Sequence, residues 1–264
     1  MTTKPKSRCP LAAHPSRYTP SMPRPVLLCL HGWGGSEESF TELREALKGT
    51  DIEILTPDLP GFGGQPDPPA PWNIDDYAKW VVTWLPTQRH SPLFLLGHSM
   101  GGQIAAYIAA KKMLPIDVLF LCAPAIVRGR LGLRRSIGAL LAKSGKMILS
   151  IPGLRLLQPA FRRLLYTLVR VHDYESASPV MQQTLVRVSH QPLTALLPSI
   201  AVPTEIFWGR DDRQTPPREA RIVHRGIAKS NLHLYAGIRH AVHRAKAGEI
   251  AKVICEHLTV VGQA

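Results

Sequence analysis

The residues best suited to chemistry lie in the stretch 93–103, which reads LFLLGHSMGGQ. Four apolar residues open the stretch, a glycine-flanked Ser99 follows, and the helix-forming residues IAAYIAA come directly after it. This pattern predicts a buried strand, a sharp turn at the serine and a helix. A serine on such a turn is presented for nucleophilic attack, and the positive end of the helix dipole favours the negative charge that acyl transfer develops.

Two glycines flank the serine at equal spacing. Gly97 and Gly101 each lie two residues from Ser99, where a side chain would crowd the turn, and glycine removes that crowding. A glycine-rich turn with an incidental serine is the alternative interpretation of the motif. The choice between the two depends on whether the chain also supplies a base and an acid.

A serine hydroxyl attacks at neutral pH only when a neighbouring base takes its proton. His240 is the candidate base because it follows the last predicted strand and its turn, and His243, three residues further on, is the alternative. The base needs an acid that orients it and stabilises its charged form. Asp211 and Asp212, which follow another predicted strand, compete for that role. The residues therefore predict a Ser–His–Asp triad in which the identity of the histidine and that of the aspartate stay open.

Short apolar runs alternate with amphipathic segments on both sides of Ser99. Predicted strands cover residues 26–30, 52–56, 93–96, 118–121, 204–208 and 231–235. Predicted helices cover residues 37–48, 74–85, 217–227 and 247–258, and a further helix begins after the serine. This alternation predicts an α/β fold with a mainly parallel sheet and helices on both faces.

The pattern changes at the start of the chain and in one internal block. Residues 1–24 contain five basic residues, no acidic residue and several prolines, and we predict a disordered leader there. Residues 128–200 show no strand pattern and contain eleven basic and two acidic residues. This block predicts a basic helical insertion, with helices near 130–149, 153–171 and 179–189. Residues 25–127 and 201–264 then form the core.

Composition disfavours several classes of protein. No apolar run reaches the roughly 18–20 residues of a membrane span, and the leader lacks the apolar segment of a signal peptide. The four cysteines are scattered and none of the eleven histidines belongs to a ligand-spaced cluster, so we predict a cytoplasmic protein without a metal. The basic block lacks the interleaved aromatic residues of nucleic-acid binding proteins. We therefore expect neither nucleic acid nor a membrane as a partner.

Four motifs together resemble the α/β-hydrolase superfamily. They are HGWGG at 31–35, DLPGFG at 58–63, GHSMGG at 97–102, and WGRDD at 208–212 followed by GIRH at 237–240. The motifs occur in the family's order, and the resemblance covers residues 26–127 and 201–258. It implies an α/β-hydrolase fold in which the insertion at 128–200 forms a helical cap over the active site.

The resemblance also implies roles for individual residues. The family's chain order of serine, acid and histidine implies a triad of Ser99, Asp212 and His240, because the family places its acid three residues after the glycine of this turn. The two N–H groups of the oxyanion hole would come from the backbone of Trp33 and Met100. The chain is thus expected to attack an acyl carbon and to hold the resulting oxyanion between two amides.

Other positions narrow the chemistry that the resemblance implies. His31 is expected to tie down the loop after the first strand, and His98 to lie beside the site without reacting. Arg239 stands where family members usually have glycine. Serine at the turn excludes the dehalogenases and epoxide hydrolases of this fold, which use aspartate there. Esterases, thioesterases, amidases, lactonases, carbon–carbon bond hydrolases and haloperoxidase-like members stay open, and none of these needs a metal or an organic cofactor.

A closer resemblance concerns the substrate. HGWG, DLPGFG and a basic cap are together similar to the esterases that demethylate pimeloyl-carrier-protein methyl ester, although those tend to have Trp in the place of His98. Such enzymes hold an acidic carrier with arginines of the cap. The resemblance implies that Trp33 and Arg128 contact the substrate. Five more arginines would help to hold the carrier: Arg130, Arg134, Arg135, Arg162 and Arg163.

The sequence therefore predicts a serine hydrolase that cleaves a carboxylic ester through an acyl-enzyme. The predicted partner is a small-molecule ester, either free or carried on an acidic protein. Three alternatives stay open: an esterase or thioesterase that docks its carrier on the cap, a slow-turnover ligand-sensing module, and a carbon–carbon bond hydrolase.

Overall fold

The computed structural model describes residues 24–85, 91–127 and 177–261. The predicted leader, apart from Arg24, lies outside these ranges. Residues 128–176 of the predicted cap, with Arg128 and the five other arginines assigned to carrier binding, also lie outside them. The division of the chain into leader, core and cap stays a prediction.

Six strands and seven α-helices make up the described part of the chain. The strands are β1 (Val26–Leu30), β2 (Glu53–Leu55), β3 (Leu93–His98), β4 (Val118–Cys122), β5 (Thr204–Gly209) and β6 (Ser230–Tyr235). The helices are α1 (Thr41–Ala46), α2 (Ile74–Trp84), α3 (Met100–Ala110), α4 (Pro179–Ser189), α5 (Pro217–Gly226), α6 (Val242–Ala245) and α7 (Ala247–Val261). Every strand predicted from the sequence is present, with bounds that differ by at most two residues.

The strands form one parallel sheet in the order β2-β1-β3-β4-β5-β6. All residues of β1, β3 and β4 are buried, as expected for strands covered by helices on both faces. The strand order reverses at β1, since β2 lies on one side of it and β3 on the other. Ligands of open parallel sheets bind at such a switch point, beyond the carboxyl ends of the strands.

The helices cover the sheet in two layers. On one face α1 packs against α6 and α7, and on the other α2 packs against α3. A 3₁₀ helix at Thr194–Ser199 contacts both α3 and α5 in the second layer. The predicted α/β architecture with helices on both faces is therefore confirmed.

The segment 37–48 differs from its prediction as one continuous helix. It forms a 3₁₀ turn at Glu37–Phe40, and α1 begins only at Thr41. Ser36 caps the turn, because its hydroxyl accepts a hydrogen bond from the backbone N–H of Glu38 at 3.3 Å. The N–H of Glu37 donates to Asp58 Oδ1 at 2.7 Å. These contacts hold the first turn in the tighter winding that is common at helix N-termini.

The described end of the insertion is helical and is bonded to the core. Helix α4 covers the third segment predicted as helical, and Ser178 caps it. The hydroxyl of Thr184 accepts a hydrogen bond from the N–H of Trp72 at 3.0 Å, and the N–H of Leu193 donates to the carbonyl of Ile126 at 3.2 Å. The chain therefore leaves the core near Ile126 and returns beside the same residue.

A buried carboxylate ties β5 to β6 and α7. Glu205 accepts hydrogen bonds from His233 Nε2 at 2.7 Å, His257 Nε2 at 3.0 Å and Asn231 Nδ2 at 2.9 Å. Both imidazoles carry their proton on Nε2, because an ionised carboxylate only accepts. Burial raises the pKa of Glu205, but the three hydrogen bonds outweigh it and lower that pKa from 4.5 to about 2.

We expect Glu205→Gln to lower the free energy of unfolding by about 1–3 kcal/mol at pH 7, because the amide NH₂ then faces at least one donor. A lowered pKa contributes stability that is present above 4.5 and is lost as the pH falls towards about 2. The difference between wild type and variant should therefore shrink in that window. Urea unfolding at pH 7, 4 and 3 measures it, and exposed Glu256→Gln is the matched control. An equal difference at every pH would contradict the expectation.

Candidate active site

Ser99 occupies a strained backbone conformation between β3 and α3. Its φ of 53° and ψ of −114° lie in a region that residues other than glycine rarely adopt. The surroundings hold it there: the N–H of Ser99 donates to the carbonyl of Cys122 at 3.1 Å, and its own carbonyl accepts from the N–H groups of Gln103 and Ala125 at 3.0 Å each. Strain of this kind persists only where neighbouring structure fixes it, and it is typical of functional sites.

The glycines around Ser99 allow this geometry. A Cβ at Gly97 would lie 2.6 Å from the Cα of Gly102, and a Cβ at Gly102 would lie 2.7 Å from the Cβ of Pro124. At Gly101 it would collide with the carbonyl of Leu30. The crowding predicted for Gly97 and Gly101 is therefore present, and it arises from packing across β1, β3 and α3.

Asp212 and His240 lie in direct contact at the ends of β5 and β6. His240 Nδ1 lies 2.8 Å from Asp212 Oδ2, and the carboxylate is fully buried. Because the carboxylate only accepts, Nδ1 of His240 carries the proton and Nε2 keeps a free lone pair. His240 therefore has the tautomer that a general base for a serine hydroxyl needs.

The structure places Asp212, and not Asp211, against His240. Asp211 is exposed, and its backbone N–H donates to the carbonyl of Ile238 at 3.0 Å. Asp212 Oδ1 accepts from the N–H groups of Gln214 and Thr215 at 2.8 and 3.0 Å. Burial raises the pKa of Asp212, but hydrogen bonds from His240 and Thr215 outweigh it and hold that pKa below its usual range. The carboxylate is thus ionised beside its histidine.

Thr215 supports this pair, and the sequence analysis missed it. Its hydroxyl donates to Asp212 Oδ2 at 2.8 Å and lies 3.3 Å from His240 Nδ1. Its carbonyl accepts a hydrogen bond from Trp208 Nε1 at 2.8 Å, which anchors the loop to β5. An aspartate followed within three residues by such a turn is a recognisable Asx pattern, so the spacing of Asp212 and Thr215 was a usable signal.

The loop after β1 lies against Ser99. A Cβ at Gly32, the residue before Trp33, would lie 3.1 Å from the Cβ of Ser99. Met100 opens α3, and the first N–H groups of a helix have no intrahelical acceptor. Met100 directly follows Ser99 in the chain, and the oxyanion hole of Trp33 and Met100 stays a prediction.

His31 fixes this loop, as predicted. The N–H of Leu59 donates to His31 Nε2 at 2.9 Å, so the proton lies on Nδ1, which donates to the carbonyl of Gly32 at 2.8 Å. Burial lowers the pKa of His31. The ring of Trp33 packs edge-to-face against Phe62, with centroids 4.9 Å apart. The motifs HGWGG and DLPGFG therefore form one wall of the site.

Two further imidazoles lie beside His240. The ring centroid of His98 is 4.8 Å from that of His240 and 3.8 Å from that of His243, with which it stacks. His243, the alternative base, is buried, and burial lowers its pKa to about 3. The structure brings His243 against His98, and of the two candidate bases it is His240 that is hydrogen-bonded to Asp212.

Ser99, Asp212 and His240 all follow the carboxyl ends of strands of the sheet, namely β3, β5 and β6. Among the described residues no hydrogen bond joins Ser99 to His240. Such bonds are often long in the absence of substrate. The part of the chain that the structure describes contains no group of three or more His, Cys, Asp or Glu side chains arranged to hold a metal ion. A strained serine after β3 and an Asp–His pair after β5 and β6 are typical of hydrolases built on a parallel α/β sheet.

The chain belongs to the Alpha/beta hydrolase family, whose sequence model matches residues 27–253. Among curated relatives, the pimeloyl-[acyl-carrier protein] methyl ester esterase of Neisseria meningitidis is 29% identical over 245 residues, which cover 85% of this chain and 91% of that protein. Lipase LipV of Mycobacterium tuberculosis is 34% identical over 129 residues, 49% of this chain and 48% of that protein.

A solved structure agrees with the fold. The structure of MenH from S. aureus matches with a TM-score of 0.66 and 23% sequence identity, and the match covers 94% of this chain and 97% of that one. The resemblance to the α/β-hydrolases is therefore confirmed, and the relatives support a hydrolytic enzyme. Of the helices in the described ranges, none combines the length and apolar character needed to span a membrane.

Proposed function

We propose that the protein is a carboxylic ester hydrolase with Ser99 as nucleophile, His240 as general base and Asp212 as the acid that orients it. The observation that carries this proposal is the buried Asp212–His240 hydrogen bond of 2.8 Å at the sheet edge that also presents Ser99. The pair fixes the imidazole tautomer, and the strained turn at Ser99 follows a strand of the same sheet. Both observations support a reaction in which His240 activates Ser99.

In the proposed reaction Ser99 Oγ attacks the ester carbonyl carbon while its proton passes to His240 Nε2. The tetrahedral oxyanion lies between the N–H groups of Trp33 and Met100, where the dipole of α3 also favours negative charge. The carbon–oxygen bond to the alcohol breaks, and the alcohol leaves with the proton from His240. Water then attacks the acyl-enzyme with His240 again as base, which releases the acid and restores Ser99. No step uses a metal or a cofactor.

The proposed substrate class follows from the relative in N. meningitidis, which is named for a methyl ester carried on acyl-carrier protein. We propose a medium-chain ester, delivered either free or on an acidic carrier. The predicted cap at 128–200 carries eleven basic and two acidic residues, and Arg128 is proposed to contact the substrate together with Trp33. Positive potential of this kind attracts an acidic partner.

Hydrolysis of para-nitrophenyl esters of increasing chain length, with intact mass measured during turnover, tests the proposal. We expect many turnovers per enzyme, one acyl adduct on the peptide that contains Ser99, and a preferred chain length that reports the depth of the pocket. One equivalent of product followed by a stall would favour a ligand-sensing module. Turnover without any acyl adduct on Ser99 would contradict the proposed mechanism.

A further inference from the structure

Among the described residues, the hydrogen-bond partners of the proposed base lie at one of its two ring nitrogens. Asp212 and Thr215 contact Nδ1 of His240 at 2.8 and 3.3 Å. A ring held at one nitrogen can still pivot about that contact, which would swing Nε2 away from Ser99. A second restraint on the face of the ring would prevent this, and loss of alignment at a reacting pair costs up to about a hundredfold in rate.

His98 provides a surface at that face. Its ring centroid lies 4.8 Å from that of His240 at an interplanar angle of 51°, within the range in which aromatic rings pack favourably. His98 is itself held on two sides. Its Nδ1–H donates to the carbonyl of Cys122 at 3.0 Å, and its ring stacks on that of His243 with centroids 3.8 Å apart and an interplanar angle of 28°.

The burial of His243 at this position is energetically unfavourable. It is 4% exposed, and its Nδ1 is buried without a hydrogen-bond partner among the described residues. A buried polar atom without a partner destabilises the fold relative to an apolar group of the same shape. Its other ring neighbour is Phe40, whose ring centroid lies 5.6 Å from that of His243 in an edge-on arrangement. His243 therefore contacts both neighbours through its aromatic ring.

The charge states suit this arrangement. Burial, together with His243, His240 and His31, holds the pKa of His98 well below its usual value, and burial, His240 and Arg244 do the same for His243. Both rings therefore stay neutral when His240 takes the proton of Ser99. A second cation at a distance of 4.8 Å from His240 would oppose that transfer.

We propose that His98, braced by His243, is a positioning residue that holds the imidazole of His240 in line with Ser99. The proposal rests on the function proposed above and deepens it. His98 touches neither substrate nor the reacting atoms; it acts through the ring of His240, and the feature that matters is the flat neutral ring at position 98.

Two measurements on His98→Ala and His98→Phe test the proposal: kcat and KM for a para-nitrophenyl ester, and the downfield NMR signal of the proton between His240 and Asp212 in the free protein. His98→Ala should lower kcat about 10- to 100-fold, with KM changed less than about threefold, and should broaden the proton signal. His98→Phe keeps a neutral ring and should recover most of both. Exposed His190→Ala is the matched control.

The opposite results would overturn the proposal. A sharp signal and a kcat within about twofold of wild type in His98→Ala would show that His240 needs no brace. A His98→Phe variant as impaired as His98→Ala would show that the bond to Cys122 matters, and not the ring. If His98→Ala does not fold, His243→Ala with His243→Phe repeats the comparison from the other side of the stack.

The test separates this proposal from the proposed function. The proton signal reports His240 in the free protein and does not require turnover. Ser99→Ala should abolish hydrolysis and leave the signal sharp. An active Ser99→Ala variant would refute the proposed function, while the NMR comparison would still decide whether His98 positions His240.

Discussion

Replacement of Ser99 by alanine is expected to lower kcat for ester hydrolysis by about 10⁴- to 10⁶-fold, the largest effect that we predict. The variant loses Oγ, the atom that forms the acyl-enzyme, so His240 has no hydroxyl proton to accept. The oxyanion hole and the binding surface leave a small residual rate. Steady-state hydrolysis of a para-nitrophenyl ester measures the effect, together with intact mass to confirm that no adduct forms.

The matched control for this variant is Ser199→Ala, which removes an exposed hydroxyl outside the site. We expect its kcat to equal that of wild type. Thermal unfolding should show both variants folded, because the hydrogen bonds that hold position 99 come from its backbone. Hydrolysis by Ser99→Ala within tenfold of wild type would mean that another group attacks the ester.

Replacement of Asp212 by asparagine is expected to lower kcat by about 10⁴-fold. The carboxylate fixes the proton of His240 on Nδ1 through the contact of 2.8 Å. An amide NH₂ at that place favours the opposite tautomer, in which Nε2 is protonated and cannot accept the proton of Ser99. The fold should be retained, because Gln214 and Thr215 can still donate to the amide oxygen.

Asp211→Asn is the matched control, since it makes the same change one residue earlier at an exposed side chain. We expect kcat and KM within about twofold of wild type. The measurement is kcat/KM between pH 5 and 9 for both variants, where the low pKa of Asp212 keeps the native carboxylate ionised. Equal losses in the two variants would argue against Asp212 as the orienting acid.

Local sequence patterns predicted the fold and the turn at Ser99. The turn was predictable because its glycines lie two positions from Ser99, although the group that a Cβ at Gly101 would meet is the carbonyl of Leu30 in β1. The strands were predictable because a parallel strand covered on both faces is a continuous apolar run. The segment 37–48 was predicted less well, because the N–H of Glu37 bonds to Asp58, twenty-one residues away.

Contacts between distant residues decided the site in detail. The neighbours Asp211 and Asp212 have the same chemistry, and only the turn that faces Asp212 towards His240, twenty-eight residues later, distinguishes them. The stack of His98 on His243 and the network around Glu205 likewise join separate strands and helices. No short pattern encodes such pairs.

The sequence by itself determined the order of the motifs, the α/β architecture and the identity of the candidate nucleophile. These features follow from local sterics, apolar periodicity and helix capping, which act within a few residues. Only the tertiary structure decided which of the two aspartates bonds to a histidine, and which of the two histidines receives that bond. It also decided which rings surround His240. Those choices depend on how the carboxyl ends of β3, β4, β5 and β6 lie in order at one edge of the sheet, and that arrangement exists only when the whole sheet has formed.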